Sequence, residues 1–421
     1  MDRFIVEGGI RLKGTVGLSG AKNAALPILA ATLLTDAKSI IKNVPSLRDV
    51  NTMLRIMRLL GVKVNMEDDA VIVEPNGYSN YTAPYKLVST MRASICVLGP
   101  ILAKLRHAEV SMPGGCIIGP RPIDLHIKGL RALGADIKIE HGYIVAKAKQ
   151  LRGGRIYLGG NFGSSVLATA NVMMAATLAK GKTIIESGAC EPEISDLASF
   201  LIKMGAKIKG QNTPIIEIEG VKSLHGAEYS IIYDRIEAGT FMIAAAITGG
   251  DITIRDANIE YLGAIIDKLQ NAGLQITKVK DGLRVRKVRS LKPVDVTTLT
   301  YPGFPTDMQA QMMALMSVTK GISIITEKIY PERFMHVSEL ARMGAQIALE
   351  GPSAIVKGVS HLSGAPVMAS DLRASAALIL AGLVAKGKTE ISRIYHLDRG
   401  YHKIEAKLGS LGAKIKREKE A

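Results

Sequence analysis

Tryptophan is absent from this chain of 421 residues, and aromatic residues make up only 4% of it. Proteins that bind single-stranded nucleic acid stack its bases on aromatic side chains, so this scarcity argues against that class of function. The chain has three cysteines, Cys96, Cys116 and Cys190. An odd number of widely separated cysteines argues against a disulfide framework. No two of them have zinc-site spacing and the eight histidines form no HxxxH pair, so we expect no metal ion.

The chain also has no apolar run long enough to cross a bilayer. Its most apolar stretch covers 374–385, well short of the roughly 20 residues that a spanning helix needs. Residues 1–6 are typical of a strand and lack the apolar core of a secretion signal. We therefore expect a cytoplasmic protein without a membrane span. Apolar residues make up 47% of the chain and charged residues 22%, and this length predicts two globular domains.

The formal charge is +16, which suggests an anionic partner such as nucleic acid, a membrane surface or a phosphorylated metabolite. The positive residues are scattered along the chain and do not form blocks. A basic, solvated surface without a specific partner therefore remains an alternative interpretation.

Six copies of one unit account for the whole chain. Each copy contains a short motif centred on a glycine, at Gly61, Gly134, Gly205, Gly273, Gly344 and Gly412. The intervals between these glycines are 73, 71, 68, 71 and 68 residues. A regular interval of this kind is typical of repeated supersecondary units. We expect two compact domains of three copies each, with an open solenoid as the alternative.

Each copy begins with a helix that is apolar on nearly every face. In the first copy this helix covers 22–34, a strand follows at 39–44, and Ser46 with Asp49 has the spacing of a capping box before a second helix. Such an apolar helix predicts burial, and three of them can pack together inside a shell of sheets. The helix recurs, rich in Ala and Met, at 94–105, 168–178, 239–247, 308–317 and 374–384.

Cations recur near the start of these apolar helices, where free N–H groups and the helix dipole favour anions. Several cations in register predict a phosphate site. Arg235 lies beside Asp234 and Glu237, so a structural salt bridge is its better interpretation. No GxxxxGK[ST] loop is present, which excludes a standard nucleotide-hydrolysis loop. The helix cations are Lys22, Arg92, Arg235 and Arg373, and loops add Arg121, Arg333 and Arg399.

Two further residues have both a chemical and a structural interpretation. Cys116 lies among glycines in a loop, where Arg121 and His126 could lower the pKa of its thiol, or it could be an inert small hydrophobe. Asp307 follows a turn-rich segment before a helix, where it could be a general base or an N-terminal cap. Cys96, on an apolar helix, fits the inert interpretation, whereas Cys190 is undecided.

Several stretches between residues 20 and 400 form a specific combination: 20–24 (GAKNA), 113–116 (PGGC), 121–126 (RPIDLH), 301–307 (YPGFPTD), 333–336 (RFMH), 371–374 (DLRA) and 396–400 (HLDRG). In these stretches the chain resembles the UDP-N-acetylglucosamine 1-carboxyvinyltransferases of the enolpyruvyl transferase (EPSP synthase) family. The resemblance implies an α/β fold of two inside-out, barrel-like domains, each of three repeated α/β units with buried helices. It implies a C-terminal catalytic domain of 1–20 plus 230–421, an N-terminal domain of 21–229 with the Cys116 loop, and an active site in the cleft between them.

The resemblance also implies the reaction. The enolpyruvyl group of phosphoenolpyruvate would pass to the 3-hydroxyl of UDP-N-acetylglucosamine, with phosphate release through a tetrahedral intermediate. This is the first committed step of peptidoglycan precursor synthesis, and thus serves cell wall biogenesis, cell shape and division. The implied catalytic residues are Cys116, Asp307, Lys22 and Arg399. The implied phosphoenolpyruvate-binding residues are Lys22, Asn23, Arg92, Arg121, Arg373 and Arg399. The implied sugar-nucleotide-binding residues are Arg92, Arg121, Pro122, Ile123, Asp124, Leu125, Ser164, Ser165, Val166, Asp307 and Ile329.

Within that scheme Asp307 would deprotonate the sugar hydroxyl. Cys116 would act as general acid toward C3, could hold phosphoenolpyruvate covalently, and would be alkylated by fosfomycin. No cofactor, metal or nucleic acid is implied. Leu167 stands where the family usually has glycine, a departure that bears on the backbone contacts of the neighbouring segment. The alternatives are an enzyme acting on shikimate 3-phosphate and, in a different class, a nucleic-acid-binding repeat protein.

Overall fold

The computed structural model of the chain describes residues 2–113 and 123–419. By their internal contacts these residues form two compact units. The N unit comprises 20–113 and 123–232, and the C unit comprises 2–19 and 233–419. No helix in the described ranges combines the length and apolar character that crossing a membrane requires.

Two strands of the C unit come first along the chain, β1 (Asp2–Glu7) and β2 (Lys13–Gly17). The helices of the N unit are α1 (Lys22–Ala31), α2 (Arg48–Leu59), α3 (Tyr85–Val88), α4 (Leu98–Leu105), α5 (Asp124–Ala132), α6 (Val166–Ala176) and α7 (Pro192–Lys203). Its strands are β3 (Ser39–Lys42), β4 (Lys63–Glu67), β5 (Ala70–Glu74), β6 (Thr82–Ala83), β7 (His107–Ser111), β8 (Asp136–Glu140), β9 (Tyr143–Lys147), β10 (Arg155–Tyr157), β11 (Gly159–Gly160), β12 (Gly163–Ser164), β13 (Lys182–Glu186), β14 (Lys207–Lys209), β15 (Ile215–Glu219) and β16 (Glu228–Ser230). Short 3₁₀ helices follow α1 at Thr32–Leu34 and precede α4 at Arg92–Val97.

The remaining helices of the C unit are α8 (Arg235–Thr248), α9 (Gly263–Asn271), α10 (Gln309–Ser317), α11 (His336–Arg342), α12 (Leu372–Gly382) and α13 (Ile404–Ser410). Its remaining strands are β17 (Asp251–Arg255), β18 (Leu274–Val279), β19 (Gly282–Lys287), β20 (Val296–Thr297), β21 (Ile322–Thr326), β22 (Gln346–Glu350), β23 (Ser353–Lys357), β24 (Pro366–Met368), β25 (Lys388–Ser392) and β26 (Lys414–Lys419). Its 3₁₀ helices are Ile259–Tyr261, Thr306–Met308 and Ile394–Arg399.

One sheet topology recurs six times in the described residues. In each four-stranded sheet the first pair of strands is parallel and the other two pairs are antiparallel. The N unit has the orders β16-β3-β5-β4, β6-β7-β9-β8 and β10-β13-β15-β14, and the C unit has β2-β17-β19-β18, β20-β21-β23-β22 and β24-β25-β1-β26. The repeat inferred from the glycine spacing is therefore a structural unit.

The strands at the start of the chain complete sheets of the C unit. Strand β1 lies between β25 and β26, with Phe4 opposite Ile391 and Arg417. Strand β2 pairs in parallel with β17. In the N unit β16 pairs in parallel with β3 and so joins its last segment to its first repeat.

The apolar helices are buried inside the sheets, as their sequence pattern predicts. Every residue of 24–31 in α1, of 168–176 in α6 and of 373–382 in α12 is buried. A helix without a polar face has no side that can stably face water, so it is enclosed. The predicted fold class, two α/β units of three repeats with buried helices, is confirmed.

Glycine is required at the six recurring motif positions. All six have φ between 92° and 106°, in the left-handed region that side chains with a Cβ rarely adopt. Each follows a helix and reverses the chain toward the next strand.

One local prediction is wrong. Helix α2 begins at Arg48, and its N-cap position is Leu47, which makes no side-chain cap. Ser46 is therefore not the cap of this helix. The Asp49 carboxylate instead forms an ion pair with Lys22, whose Nζ lies 3.1 Å from Asp49 Oδ2.

Asn171 joins the buried helices of the N unit by hydrogen bonds. Its Oδ1 accepts from the Gly99 N–H at 2.8 Å, and its Nδ2 donates to the Ile95 carbonyl at 2.9 Å. The same Nδ2 lies 2.9 Å from Nδ1 of His126, which then acts as an acceptor. The helices approach closely at this point, because a Cβ added to Gly99 would lie 2.4 Å from the Asn171 carbonyl oxygen.

Replacing Asn171→Leu should destabilise the N unit by about 2–4 kcal/mol, because it leaves buried donors and acceptors without partners. The change should appear as a fall of several degrees in the thermal unfolding midpoint. The matched control is Asn65→Ala on the exposed face of β4, which should leave the midpoint nearly unchanged. Equal midpoints for Asn171→Leu and the wild type would contradict the structural role of Asn171.

Candidate active site

Lys22 is held at the N-terminus of the buried helix α1. Its side chain is 12% exposed and that of its ion-pair partner Asp49 is 6% exposed, so the ammonium has little freedom to move. The segment that leads into α1 passes close to the backbone at Asn43 and requires glycine at position 20, because a Cβ there would lie 1.7 Å from the Asn43 carbonyl oxygen. Asn23 is the next residue of the helix. A cation is thus fixed at a helix end where free N–H groups favour anions.

Arg92 begins the 3₁₀ helix that packs against α1. Its charge acts on His126 of α5, whose pKa is lowered to about 3, mainly by burial and secondarily by Arg92. His126 is therefore neutral at pH 7. A neutral imidazole supplies no positive charge that would lower the pKa of a neighbouring thiol. Cys116, Arg121 and Pro122 themselves lie outside the described residues.

Two predicted sugar-nucleotide segments come together in the N unit. Ile123 is buried and Asp124 begins α5. The side chain of Leu125 lies against the β11–β12 hairpin, since a Cβ at Gly160 would be 3.1 Å from its Cδ1. Ser164 belongs to β12 of that hairpin.

The second of these segments continues directly into α6. The Ser165 hydroxyl accepts a hydrogen bond from the Ala168 N–H at 3.4 Å, which makes Ser165 the N-cap of this helix. Val166 is the first helical residue. Leu167 packs partly buried against the core of the unit, so this departure from the family pattern is accommodated by the protein interior.

In the C unit Asp307 lies between two buried arginines. Its Oδ1 is 3.0 Å from Arg333 Nη1, and its Oδ2 is 2.8 Å from Arg373 Nη2. The arginine side chains are 6% and 4% exposed, whereas the carboxylate is 28% exposed. Burial raises the pKa of Asp307, but the two guanidinium groups outweigh it and hold the pKa well below its ordinary value. Asp307 is not an N-cap, because Pro305 precedes the 3₁₀ helix to which Asp307 belongs.

Arg373 has a side-chain hydrogen-bond donor that no described residue uses. Its backbone N–H is bound by Asp371 Oδ1 at 2.8 Å, which caps α12, and its guanidinium lies 5.5 Å from the ring centre of Tyr401. Its Nη1 is buried and has no hydrogen-bond partner among the described residues. A buried donor of this kind can serve an anionic ligand.

The position of Ile329 is set by Glu327. One oxygen, Oε1, accepts from the Ile329 and Tyr330 N–H groups at 2.9 Å each. The other, Oε2, accepts from the Thr306 hydroxyl at 2.8 Å, next to Asp307. Ile329 and Asp307 therefore belong to one connected network.

Arg399 ends the 3₁₀ helix Ile394–Arg399, which packs against α12. The neighbouring Asp398 forms a bidentate ion pair with Arg417 at 2.6 and 3.1 Å. Arg235, for which a structural role is predicted, lies 5.4 Å from the ring centre of Tyr301.

Comparison with known proteins identifies the family. Residues 6–408 match the model of EPSP synthase (3-phosphoshikimate 1-carboxyvinyltransferase). A protein from Caldanaerobacter subterraneus named UDP-N-acetylglucosamine 1-carboxyvinyltransferase 1 is 57% identical over 99% of both chains. A UDP-N-acetylglucosamine 1-carboxyvinyltransferase from Geotalea uraniireducens is 56% identical over the full length of both. The chain belongs to the enolpyruvyl transferase family, and within it to the UDP-N-acetylglucosamine 1-carboxyvinyltransferases.

Solved structures agree on the fold. The enolpyruvyl transferase NikO from Streptomyces tendae superimposes with a TM-score of 0.89 at 23% identity, covering 100% of this chain and 99% of that one. An EPSP synthase from Acinetobacter baumannii gives a TM-score of 0.75 at 17% identity over the full length of both chains. As a member of this family the chain is a transferase.

The two described cysteines are poor candidates for a reactive thiol. Cys96 is fully buried, and burial raises its pKa to about 12, which confirms the inert interpretation. The pKa of half-buried Cys190 is also raised, by burial and then by the charge of Glu191. Neither thiol favours the thiolate at neutral pH.

Some residues in contact with the candidate site residues are not assigned to a site by the sequence alone. Arg333 is recognisable only as one loop cation among several, and Asp49 only as a capping residue. Glu327 and Tyr401 carry no motif. The sole indication in the sequence is that Arg333 falls within a stretch that resembles the family.

The ion pairs of Asp307 predict a pH-dependent stability. The pKa of Asp307 is lowered on folding, so its stabilising contribution is present above the unfolded value of about 3.9 and is lost as the pH falls through the folded value. Asp307→Asn should therefore lower the free energy of unfolding by about 3–5 kcal/mol at pH 7, and by less at pH 3.

Urea unfolding at the two pH values measures this difference. The control is Asp267→Asn on the exposed face of α9, for which we expect a change below about 0.5 kcal/mol at both pH values. A difference for Asp307→Asn that does not depend on pH would show that the carboxylate charge is not what stabilises the cluster.

Proposed function

We propose that this chain transfers the enolpyruvyl group of phosphoenolpyruvate to the 3-hydroxyl of UDP-N-acetylglucosamine and releases phosphate. The observation that carries the proposal is the full-length identity of 55–57% with proteins named for that reaction. The reaction would commit UDP-N-acetylglucosamine to peptidoglycan precursor synthesis. We place it in the cytoplasm, where both substrates are made.

The donor would be bound by cations. Lys22 at the end of α1 and Arg92 at the start of its 3₁₀ helix offer charge together with free helix N–H groups. Arg373 offers its unpaired Nη1, and Arg399 lies on an element packed against α12. With Asn23 and Arg121, these groups would hold the phosphate and carboxylate of phosphoenolpyruvate, where Arg forks match both anions.

The sugar nucleotide would be bound by segments that lie side by side in the N unit. Support comes from the contact between Leu125 and the hairpin that carries Ser164, which brings 123–125 and 164–166 to one place. Arg92, Arg121 and Pro122 would add to this surface. Ile329 and Asp307, connected through Glu327 and Thr306, would contact the sugar.

The chemistry is an addition followed by an elimination. As the sugar oxygen bonds to C2 of phosphoenolpyruvate, Asp307 would take the hydroxyl proton and Cys116 would protonate C3. The Cys116 thiolate would then take a proton from C3, which restores the double bond while the C2–O bond to phosphate breaks, and the proton on Asp307 would leave with the phosphate. Positive side chains stabilise the charge that collects on the departing phosphate. No metal or organic cofactor is needed to balance these steps.

The ion pairs of Asp307 bear on its role as base. A carboxylate whose pKa is held far below its ordinary value takes up a proton poorly. When the donor phosphate draws hydrogen bonds from Arg373, the Arg373–Asp307 interaction should weaken and the pKa of Asp307 should rise. The base would then be active only when phosphoenolpyruvate is bound.

The sharpest test is a phosphate-release assay with each substrate alone and with both. We expect release only when phosphoenolpyruvate and UDP-N-acetylglucosamine are both present. Shikimate 3-phosphate is the control acceptor, because the family model that matches this chain is named after 3-phosphoshikimate 1-carboxyvinyltransferase, the enzyme that uses this substrate. Turnover with shikimate 3-phosphate and none with the nucleotide sugar would refute the proposal. A gel shift with RNA and no phosphate release would favour the nucleic-acid-binding alternative.

Fosfomycin should alkylate Cys116 and no other cysteine. Burial protects Cys96, and the raised pKa of Cys190 disfavours its thiolate. Peptide mass spectrometry after incubation with fosfomycin should find the adduct on Cys116, and Cys116→Ser should carry none. An adduct on Cys96 or Cys190 in the wild type would overturn the assignment of Cys116.

A further inference from the structure

A second concentration of positive charge lies in the middle repeat of the N unit, outside the residues assigned above. It surrounds an open surface cavity of about 790 Å³, which we call the basic cavity. Four cations line it, and Asp136 is the one carboxylate among its described lining residues. The cations are Arg106, Lys147, Lys149 and Arg152.

The basic cavity lies at the other end of the helices from the proposed substrate residues. Arg92 begins the 3₁₀ helix Arg92–Val97, which runs directly into α4 and ends just before Arg106. At rises of about 2.0 and 1.5 Å per residue, this helical segment separates Arg92 from Arg106 by about 24 Å. Helix α5 likewise begins at Asp124 and ends just before Gly134, which lines the cavity. One small ligand cannot reach both ends.

The cations of the basic cavity are not neutralised by the protein. None of the four forms an ion pair with a described carboxylate, although cross-strand pairs such as Lys63–Glu74 are common elsewhere in this unit. In addition, Nη1 of Arg106 is buried and has no hydrogen-bond partner among the described residues. A buried donor without a partner is costly in an isolated protein and is explained by a ligand that accepts from it.

Within the N unit, this charge arrangement distinguishes the middle repeat from its two neighbours. At the same cross-strand position Lys63 faces Glu74 in the first repeat and Lys207 faces Glu219 in the third. Both pairs are ion pairs of 3.0 Å. In the middle repeat the order is reversed, with Asp136 facing Lys147. The carboxylate that the inner strand carries at this position in the first and third repeats is a lysine in the middle repeat.

Arg106 is a second residue that distinguishes the middle repeat from the third. It directly precedes strand β7, as Gly181 precedes β13 in the third repeat, and both have positive φ, 63° and 92°. Glycine suits that conformation, whereas a residue with a Cβ is strained in it. The middle repeat therefore has an arginine at a position where the backbone favours glycine.

We propose that the basic cavity binds a small molecule that carries two or more phosphate groups. Arginine and lysine together match phosphate oxygens, and four cations around one cavity exceed what a single phosphate needs. His107 carries the one aromatic ring among the described lining residues, and that ring already stacks on Tyr81 with the ring centres 4.0 Å apart, so the phosphates would be the recognised groups. The site is independent of the proposed enolpyruvyl transfer.

Isothermal titration calorimetry with inorganic tripolyphosphate tests the proposal. Two variants follow the neighbouring repeats: Arg106→Gly, as in the third repeat, and Lys147→Glu, which places a carboxylate where the first and third repeats have Glu74 and Glu219. Each should weaken one tripolyphosphate-binding event at least tenfold. The control is Lys207→Glu in the third repeat, which changes the net charge of the protein by the same amount as Lys147→Glu and should leave all binding as in the wild type.

Phosphate release from phosphoenolpyruvate, measured on the same samples, separates the two proposals. The variants should keep wild-type turnover, which also shows that they are folded. Wild-type affinity for tripolyphosphate in both variants would overturn the site, because binding would then be elsewhere. Equal weakening in the third-repeat control would overturn it as well, and so would binding of RNA without binding of tripolyphosphate.

Discussion

Helices with no polar face impose the arrangement of the rest of this protein. Because α1, α6 and α12 cannot present any side to water, the sheets must lie around them, and each sheet needs only one apolar face. Buried helices still have free N–H groups at their first turn, which must be satisfied. The residues at these ends are therefore where a polar ligand can be accommodated, and they include Lys22 and Ser165.

The start of α12 contains buried charges that also need partners. Two nearly enclosed arginines would be unfavourable without a counter-charge, and Asp307 supplies it to both. The carboxylate that stabilises the two arginines is also the proposed base. Its pairing suppresses proton uptake until an anion competes for Arg373. A single cluster can thus contribute to stability and restrain reactivity.

The repeats have structurally equivalent positions that are occupied by different residues. Within the N unit the same backbone position is Gly181 in one repeat and Arg106 in another, and the same cross-strand pair is Lys63–Glu74 or, reversed, Asp136–Lys147. Six sheets of one topology keep the scaffold constant while single residues change the chemistry at its ends. Comparison between repeats of one chain therefore separates residues that the fold requires from residues that a ligand requires.

The sequence by itself determined the repeat, the buried helices, the six turn glycines and the inertness of Cys96. Each of these depends on local patterns: a spacing, an apolar period, or a φ angle that glycine alone adopts freely. Only the tertiary structure decided which charges meet. Asp49 binds Lys22 rather than capping its own helix, Asp307 lies between Arg333 and Arg373, and burial makes His126 neutral. These outcomes depend on contacts between residues distant in the chain and on the exclusion of water, neither of which a local pattern contains.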